Sequence, residues 1–189
     1  MPFNIDTFRQ TYIDQGYLKL SHFQVSLRPP SIIRNSNFVN SSFNQVNGIM
    51  RFRTESVKLP GITILTSDNN KYGVGPTQKF PHSANFNENS LSIVCDREGN
   101  IWNFWYEWAR SIFQFNGTDN AVPGYYAEYK DNYSTTIQVQ TFNQEGDIVQ
   151  TINMFEAFPT SVQDIPLNWG NGEIVKLTAG VTFASYSVI

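Results

Sequence analysis

Few side chains in this chain of 189 residues have the type and spacing that catalysis needs. The two histidines, His22 and His82, stand far apart and have no cysteine or carboxylate at metal-ligand spacing, so each reads as a satisfied or solvated histidine rather than a ligand. Cys95 is the single cysteine; it has no disulfide partner in the chain and reads as a small apolar strand residue rather than a reactive thiol. There is no Gly-x-Ser-x-Gly elbow and no P-loop. Gly73-Val74-Gly75 is two glycines short of a phosphate cradle and reads as turn. Glu128, Asp131, Glu145, Asp147, Glu156 and Asp164 could supply a glycosidase pair, but the sequence selects no pair and solvated surface charge is the default. Trp102, Trp105, Trp108 and Trp169 could form a sugar platform, yet three of them fall on helix stripes and read as packing residues. The expectation is a chain with no catalytic, cofactor-binding or metal-binding residues.

The composition agrees. Charged residues make up 15% of the chain, against about 25% in an average soluble protein. Asn, Gln and Ser supply the polarity instead, and such a surface packs against copies of itself with less self-repulsion. Aromatics reach 15%, and at a net charge of −3 nothing suggests a basic nucleic-acid-binding surface. Nucleic acid could pass such a chain without adhering. No apolar run approaches the roughly 20 residues of a membrane helix, and Met1 to Asp6 lacks the pattern of a signal peptide. The expectation is synthesis in the cytoplasm without general secretion or membrane insertion.

These side chains must be positioned by strands. Residues 1–17 form an N-terminal arm, with a short helix expected over Asp6–Tyr12. Leu18–Leu27 alternates as a strand with a bulge near Ser21-His22, ended by Arg28-Pro29-Pro30. The Asn/Ser-rich segment 31–47 reads as a long loop. Gly48–Val57 reads as a strand burying Met50 and Phe52. Residues 62–80 read as a protruding hairpin, with arms Ile62–Thr66 and Tyr72–Lys79 around the turn Ser67-Asp68-Asn69-Asn70. Phe86–Cys95 is a further strand.

Ile101–Phe115 is the one strong helix, startable by Asp96 or Asn100. It carries an apolar stripe Ile101, Trp105, Trp108, Ile112 and Phe115, and a second one, Trp102, Tyr106, Ala109 and Phe113. That apolar face is about twice the usual ~100° width, so either loops seal a thick core or a neighbouring subunit covers part of it. Three long runs follow: Tyr133–Phe142, Ile148–Phe158 and Glu173–Ile189, the first two a hairpin turned at Asn143-Gln144-Glu145-Gly146-Asp147. The chain therefore reads as a single mainly β, antiparallel domain over 1–189 with one packed α-helix.

Ordered along residues 18–189, several short motifs resemble the tail tube proteins of contractile-tailed bacteriophages. His22-Phe23-Gln24-Val25-Ser26-Leu27 is similar to the first tube strand, and Glu55-Ser56-Val57-Lys58-Leu59-Pro60-Gly61 to a strand ending in Leu-Pro-Gly. Ala127-Glu128-Tyr129-Lys130 resembles the approach to the long hairpin. Phe158-Pro159-Thr160, Leu167-Asn168-Trp169 and Glu173-Ile174 resemble the closing loop and last strand. Segment 31–47 and the N-terminal arm depart from the pattern.

The resemblance implies a β-sandwich or barrel-like domain whose long hairpin joins a ring-shaped intersubunit β-barrel. Hexameric rings would stack into a hollow tube that holds the tape measure and later passes DNA in transit. The other implied partners are the tail sheath and the baseplate or tail-terminator proteins, in a virion tail. Closing long strands around a ring would remove exposed sheet edges. Ser134, Thr136, Gln138 and Gln140 are the candidate lumen face, and Asp68, Asn69, Asn70, Lys71 and Tyr72 the candidate stacking hairpin. Alternative readings are a baseplate tube initiator, the tube of a related contractile injection device and, from another class, a carbohydrate-binding β-sandwich.

Overall fold

Alternation of apolar and polar residues over two adjacent runs sets the frame of the molecule. The computed structural model describes residues 5–6, 9–10, 18–19, 21–34, 50–70, 73, 75–114, 126–170 and 172–189. The strands, in chain order, are β1 (Phe23–Leu27), β2 (Thr54–Val57), β3 (Ile62–Asn69), β4 (Gln78–Phe86), β5 (Asn89–Val94), the two-residue β6 (Phe113–Gln114) and β7 (Tyr126–Ala127), β8 (Thr135–Phe142), β9 (Ile148–Val162), β10 (Lys176–Thr182) and β11 (Ser185–Val188). One long helix, α1 (Asn100–Ile112), lies against β9, and helical turns form at Ser31–Arg34 and Lys130–Tyr133. The main sheet runs β1-β8-β9-β10-β5-β2, with β11 also on β9, and every pairing is antiparallel. The fold is thus mainly antiparallel β with one packed helix, as the sequence implies.

β9 is the hub because it changes sheet along its length. Its residues Ile152–Phe155 pair with β11, whereas Phe158–Val162 pair with β10. The switch occurs at Glu156, the only described non-glycine residue with positive φ, 53°. Opposite it, pairing jumps from Ile137↔Met154 to Thr135↔Ala157, so β9 has an extra residue there. Such a bulge turns the strand and inverts its alternation: Ile152 and Met154 are buried before it, Ala157 and Pro159 after it. The run Ile148–Phe158 therefore changes its alternation at one residue. Pro159 lies beside a second register shift, where a missing N–H costs no regular ladder bond. Gly180 faces that shift; a Cβ there would come within 2.4 Å of Ser161 Oγ.

The core joins Leu91 and Ile93 of β5, Ile137 and Val139 of β8, Leu177, Ala179 and Val181 of β10, and Ile101, Phe104, Trp105 and Trp108 of α1. Burying each aromatic ring contributes about 4–6 kcal/mol of gross transfer free energy. Trp108 Nε1 donates to the Tyr133 carbonyl at 2.8 Å, which ties the helix to the start of β8. Gly99, at φ 73°, leads into the helix. Asp96 caps it from outside: its Oδ1 accepts from the Ile101 N–H at 3.1 Å and its Oδ2 from Asn100 Nδ2 at 2.9 Å.

Several elements differ from the sequence reading. The first strand begins at Phe23, after a turn in which His22 N–H donates to the Lys19 carbonyl. Residues 50–53 are helical, so only Thr54–Val57 extends as strand; Met50 is buried while Phe52 is exposed. The run Glu173–Ile189 breaks after β10 into two strands with different neighbours. Phe104, assigned to neither helix stripe, is buried, while Trp102 and Tyr106 of the second stripe are partly exposed. In the N-terminal arm, residues 5–6 and 9–10 are helical, and the rest of 1–17 lies outside the described residues. Ser31–Arg34 is a helical turn within the expected loop, whose remainder, 35–47, also lies outside them.

Candidate functional site

No Asp, Glu, Lys or Arg occurs in β1, β8, β11 or the first half of β9, through Phe155. Alternation sends Ile137, Val139, Ile152 and Met154 into the core. The opposite face is left to hydroxyls and amides. Their register forms rows across the strands. Ser26, Gln138, Asn153 and Ser187 are successive cross-strand neighbours over β1-β8-β9-β11, and Gln24, Gln140 and Thr151 form the next row. Ser26 Oγ donates to Gln138 Oε1 at 3.3 Å, and Gln138 Nε2 donates to Asn153 Oδ1 at 2.9 Å. Gln24 Nε2 donates to Gln140 Oε1. These amides are oriented by one another, which fixes an uncharged surface without ion pairs. A depression of about 480 Å³ opens on the same face, lined by Ser26, Thr136, Gln138, Asn153 and Phe155, with Arg28 as its one charged lining residue.

Of the four residues singled out on this face by sequence, Thr136, Gln138 and Gln140 lie on β8. Ser134 precedes the strand, and its N–H donates to the Lys130 carbonyl at 2.8 Å. Gln24, Ser26, Asn153 and Ser187 escaped the sequence reading because strand order, not alternation, places them beside β8. The matching signal was present in each strand as charge-free alternation.

The hairpin β3–β4 is the second surface. Every residue from Ile62 to Asn69 and from Gln78 to Asn85 is exposed. Ile62 and Ile64 share one face with their partners Phe86 and Ala84, and Leu65 and Phe80 are exposed as well. The expected turn at 67–70 is corrected: Asp68 and Asn69 are strand residues opposite Lys79 and Gln78, and the connection begins at Asn70. Lys71 and Tyr72 lie outside the described residues. Pro81 sits beside the register shift at Leu65/Thr66, which extends the strands past the proline.

The residues with chemical potential are engaged locally. His22 Nδ1 lies 3.3 Å from the Asn143 carbonyl, closing the β8–β9 turn. Asn143 Oδ1 accepts from the Glu145 and Asp147 N–H groups. Glu128 accepts from Asn132 Nδ2 at 2.6 Å, and Glu156 pairs with Lys130, whose ammonium it holds above the ordinary lysine range by hydrogen bonding. Burial, then the neighbouring Asp96, pushes the Cys95 thiol up, against the opposing Arg53. Burial alone would raise the Asp96 carboxyl, but its hydrogen bonds from Ile101 and Asn100 outweigh burial and hold it below the usual range. Among the described residues, no group of three His, Cys, Asp or Glu could hold a metal, and no helix is long and apolar enough to cross a membrane.

The sequence profile of a family described as phage tail tube protein matches residues 18–189. No curated protein matches the chain by sequence. The fold is similar to a chain in the sheath-tube complex of an extracellular contractile injection system in its extended state, at 15% identity and TM-score 0.61, covering 95% of this chain and 96% of that one. It is also similar to a chain in a six-fold symmetrised anti-feeding prophage baseplate, at 12% identity and TM-score 0.60, covering 92% and 97%. A third likeness is to a chain in the tube-terminating cap of the anti-feeding prophage, at 17% identity and TM-score 0.60, covering 92% and 91%.

Proposed function

The chain belongs to the phage tail tube protein family and is a structural subunit of a tail tube; from that premise we propose that it forms hexameric rings whose uncharged sheet face lines the channel. The observation that carries this reading is the face of β1, β8, β11 and the first half of β9, whose strands bear no charged side chain. Its other side is committed to the core, so this is the side of that sheet available to a lumen. An amide- and hydroxyl-rich wall with Arg28 as the one charged residue at its depression offers few cations to phosphates, and so little counterion-release affinity to arrest a passing nucleic acid. A tape measure would slide over the same surface without ion-pair traps. The similar folds come from a sheath-tube complex, a baseplate and a terminating cap, which supports sheath, baseplate and terminator as neighbours in the tail. The role needs no catalysis and no cofactor.

Thr136→Lys combined with Gln138→Lys tests the lumen assignment. The double variant should assemble tubes normally while slowing DNA ejection; normal ejection through such tubes would place the face elsewhere. A second reading is favoured by the injection-system likeness: the subunit builds the tube of a contractile device that carries no genome. Nucleic acid inside assembled particles separates the two. Copy number separates a tube subunit from an initiator, because an initiator occupies one ring and a tube subunit many.

A further inference from the structure

The hydroxyl and amide rows of the sheet face end beside a single cation, Arg28. Ser26, Gln138 and Asn153 lie in one cross-strand row, and the residues that follow on the same face, Arg28, Thr136 and Phe155, complete the lining of the depression. Arg28 is placed by its backbone: its N–H donates to the Thr136 carbonyl at 3.4 Å, and its carbonyl accepts from Thr135 Oγ1 at 2.6 Å. Its guanidinium makes no ion pair or hydrogen bond among the described residues. Glu156, which follows Phe155 on β9, is paired with Lys130 and does not line the depression.

The hydrogen bonds of the first row all run one way. Ser26 Oγ donates to Gln138 Oε1 and Gln138 Nε2 donates to Asn153 Oδ1, so both amide carbonyls are engaged. The chain ends on the Asn153 amide nitrogen, whose N–H groups have no acceptor among the described residues. That nitrogen, the Thr136 hydroxyl and the guanidinium N–H groups are donors still to be used, and no carboxylate lines the depression. Unspent donors around one positive charge select a ligand that brings acceptors and negative charge. An arginine fork beside amide and hydroxyl donors is the set that holds phosphodiester oxygens. Phe155, partly exposed in the same lining, offers an apolar flank that a sugar ring of a nucleic-acid backbone covers and a lone carboxylate does not. Resting on the channel reading above, we propose that the Arg28 depression is a phosphodiester subsite of the channel wall, touched by nucleic acid in transit. It recurs once per subunit as an isolated cation on an otherwise uncharged face, so each contact is weak, salt-sensitive and readily released.

The test titrates dimethyl phosphate, a phosphodiester with neither sugar nor base, into the full-length subunit and follows side-chain N–H resonances by NMR. The Arg28 Nε–H and Asn153 Nδ2 signals should shift, and the affinity should fall as salt is added. Arg28→Gln should weaken binding about tenfold or more, the loss expected of a charge-assisted hydrogen bond. Arg28→Lys, which keeps the charge without the fork, should fall between wild type and Arg28→Gln. Particles whose tubes carry Arg28→Gln should eject DNA faster than wild type. Shifts that leave Arg28 and Asn153 unmoved overturn the subsite. Acetate that moves both signals at lower concentration than dimethyl phosphate gives the site to a carboxylate and likewise overturns it; either result leaves the channel assignment standing. Dimethyl phosphate bound at Arg28, with ejection unchanged in Arg28→Gln particles, overturns the contact with nucleic acid in transit. Normal ejection in the Thr136→Lys and Gln138→Lys double variant removes the channel reading itself, and this contact with it.

Discussion

The two longest hairpins of this molecule have similar strands and opposite surroundings. In β8–β9 one face is sealed by α1 and β5, the flanks are occupied by β1, β10 and β11, and the other face is uncharged. In β3–β4 both faces and both flanks are open among the described residues. The first hairpin carries the fold and presents a surface; the second contributes little to the fold and has apolar side chains still to bury. A subunit built this way keeps the residues that stabilise it apart from the exposed apolar residues of β3–β4. Changes in the first region should be read in folding stability, and changes in the second in assembly.

Trp108→Ala gives the largest expected effect on folding. It empties the centre of the core and removes the bond to Tyr133, costing about 3–5 kcal/mol in denaturant unfolding of the subunit. Phe80→Ala, an aromatic truncation on the free hairpin, should change the same measurement by less than about 0.5 kcal/mol. Equal losses at the two positions would mean that the hairpin belongs to the subunit's own core.

A finer contrast lies within the helix. Trp105 and Trp108 are both buried, but the Trp105 indole N–H has no hydrogen-bond partner among the described residues, while that of Trp108 donates to Tyr133. Trp108→Phe should therefore cost about 1–2 kcal/mol more than Trp105→Phe, since the first strands a carbonyl and the second relieves an unsatisfied donor. Calorimetric unfolding of the two variants measures that difference directly.

Asp96 sets a smaller, pH-dependent effect. Asp96→Ala should cost about 1 kcal/mol at neutral pH through loss of the helix cap. Because the folded carboxyl is held below its ordinary value of 3.8, the contribution of its charged form is complete above that value and is lost as pH falls through the lowered one. The gap between wild type and variant should be constant from neutral pH to about pH 5 and narrow in stronger acid. A gap that widens on acidification would show that the charged form is not the stabilising one.

Much of this was legible in the sequence where alternation meets a core. Ile137 and Val139, Leu177 and Val181, and Trp105 and Trp108 of α1 fall where their spacing places them. What escaped depended on backbone or on neighbours remote in sequence. The bulge at Glu156 is a backbone event at a residue type that gives no such signal, and it inverts everything after it. Phe52 follows an apolar alternation into a helical turn and ends in solvent. The sheet face was legible on β8 alone, because nothing local announces that β1 and β11 lie beside β8 and β9. The hairpin β3–β4 was legible as a hairpin, but its turn was misplaced, because Asp68 and Asn69 favour turns and here pair as strand residues.

The smallest expected effect on folding divides the two hairpins most sharply. Ile64→Ser should leave the unfolding free energy of the isolated subunit within about 0.5 kcal/mol of wild type, since the side chain is exposed and its strand touches little beyond β4. Hydrogen exchange locates the cause. In the free subunit, β3 and β4 should exchange faster than β8 and β9, because an isolated hairpin opens without disturbing the core. In assembled tubes the same amides should slow, and in Ile64→Ser subunits that slowing should be reduced while β8 and β9 are unaffected. Equal protection of β3–β4 in subunit and tube would mean that the hairpin is already stable alone, and its exposed isoleucines would then need an explanation other than assembly.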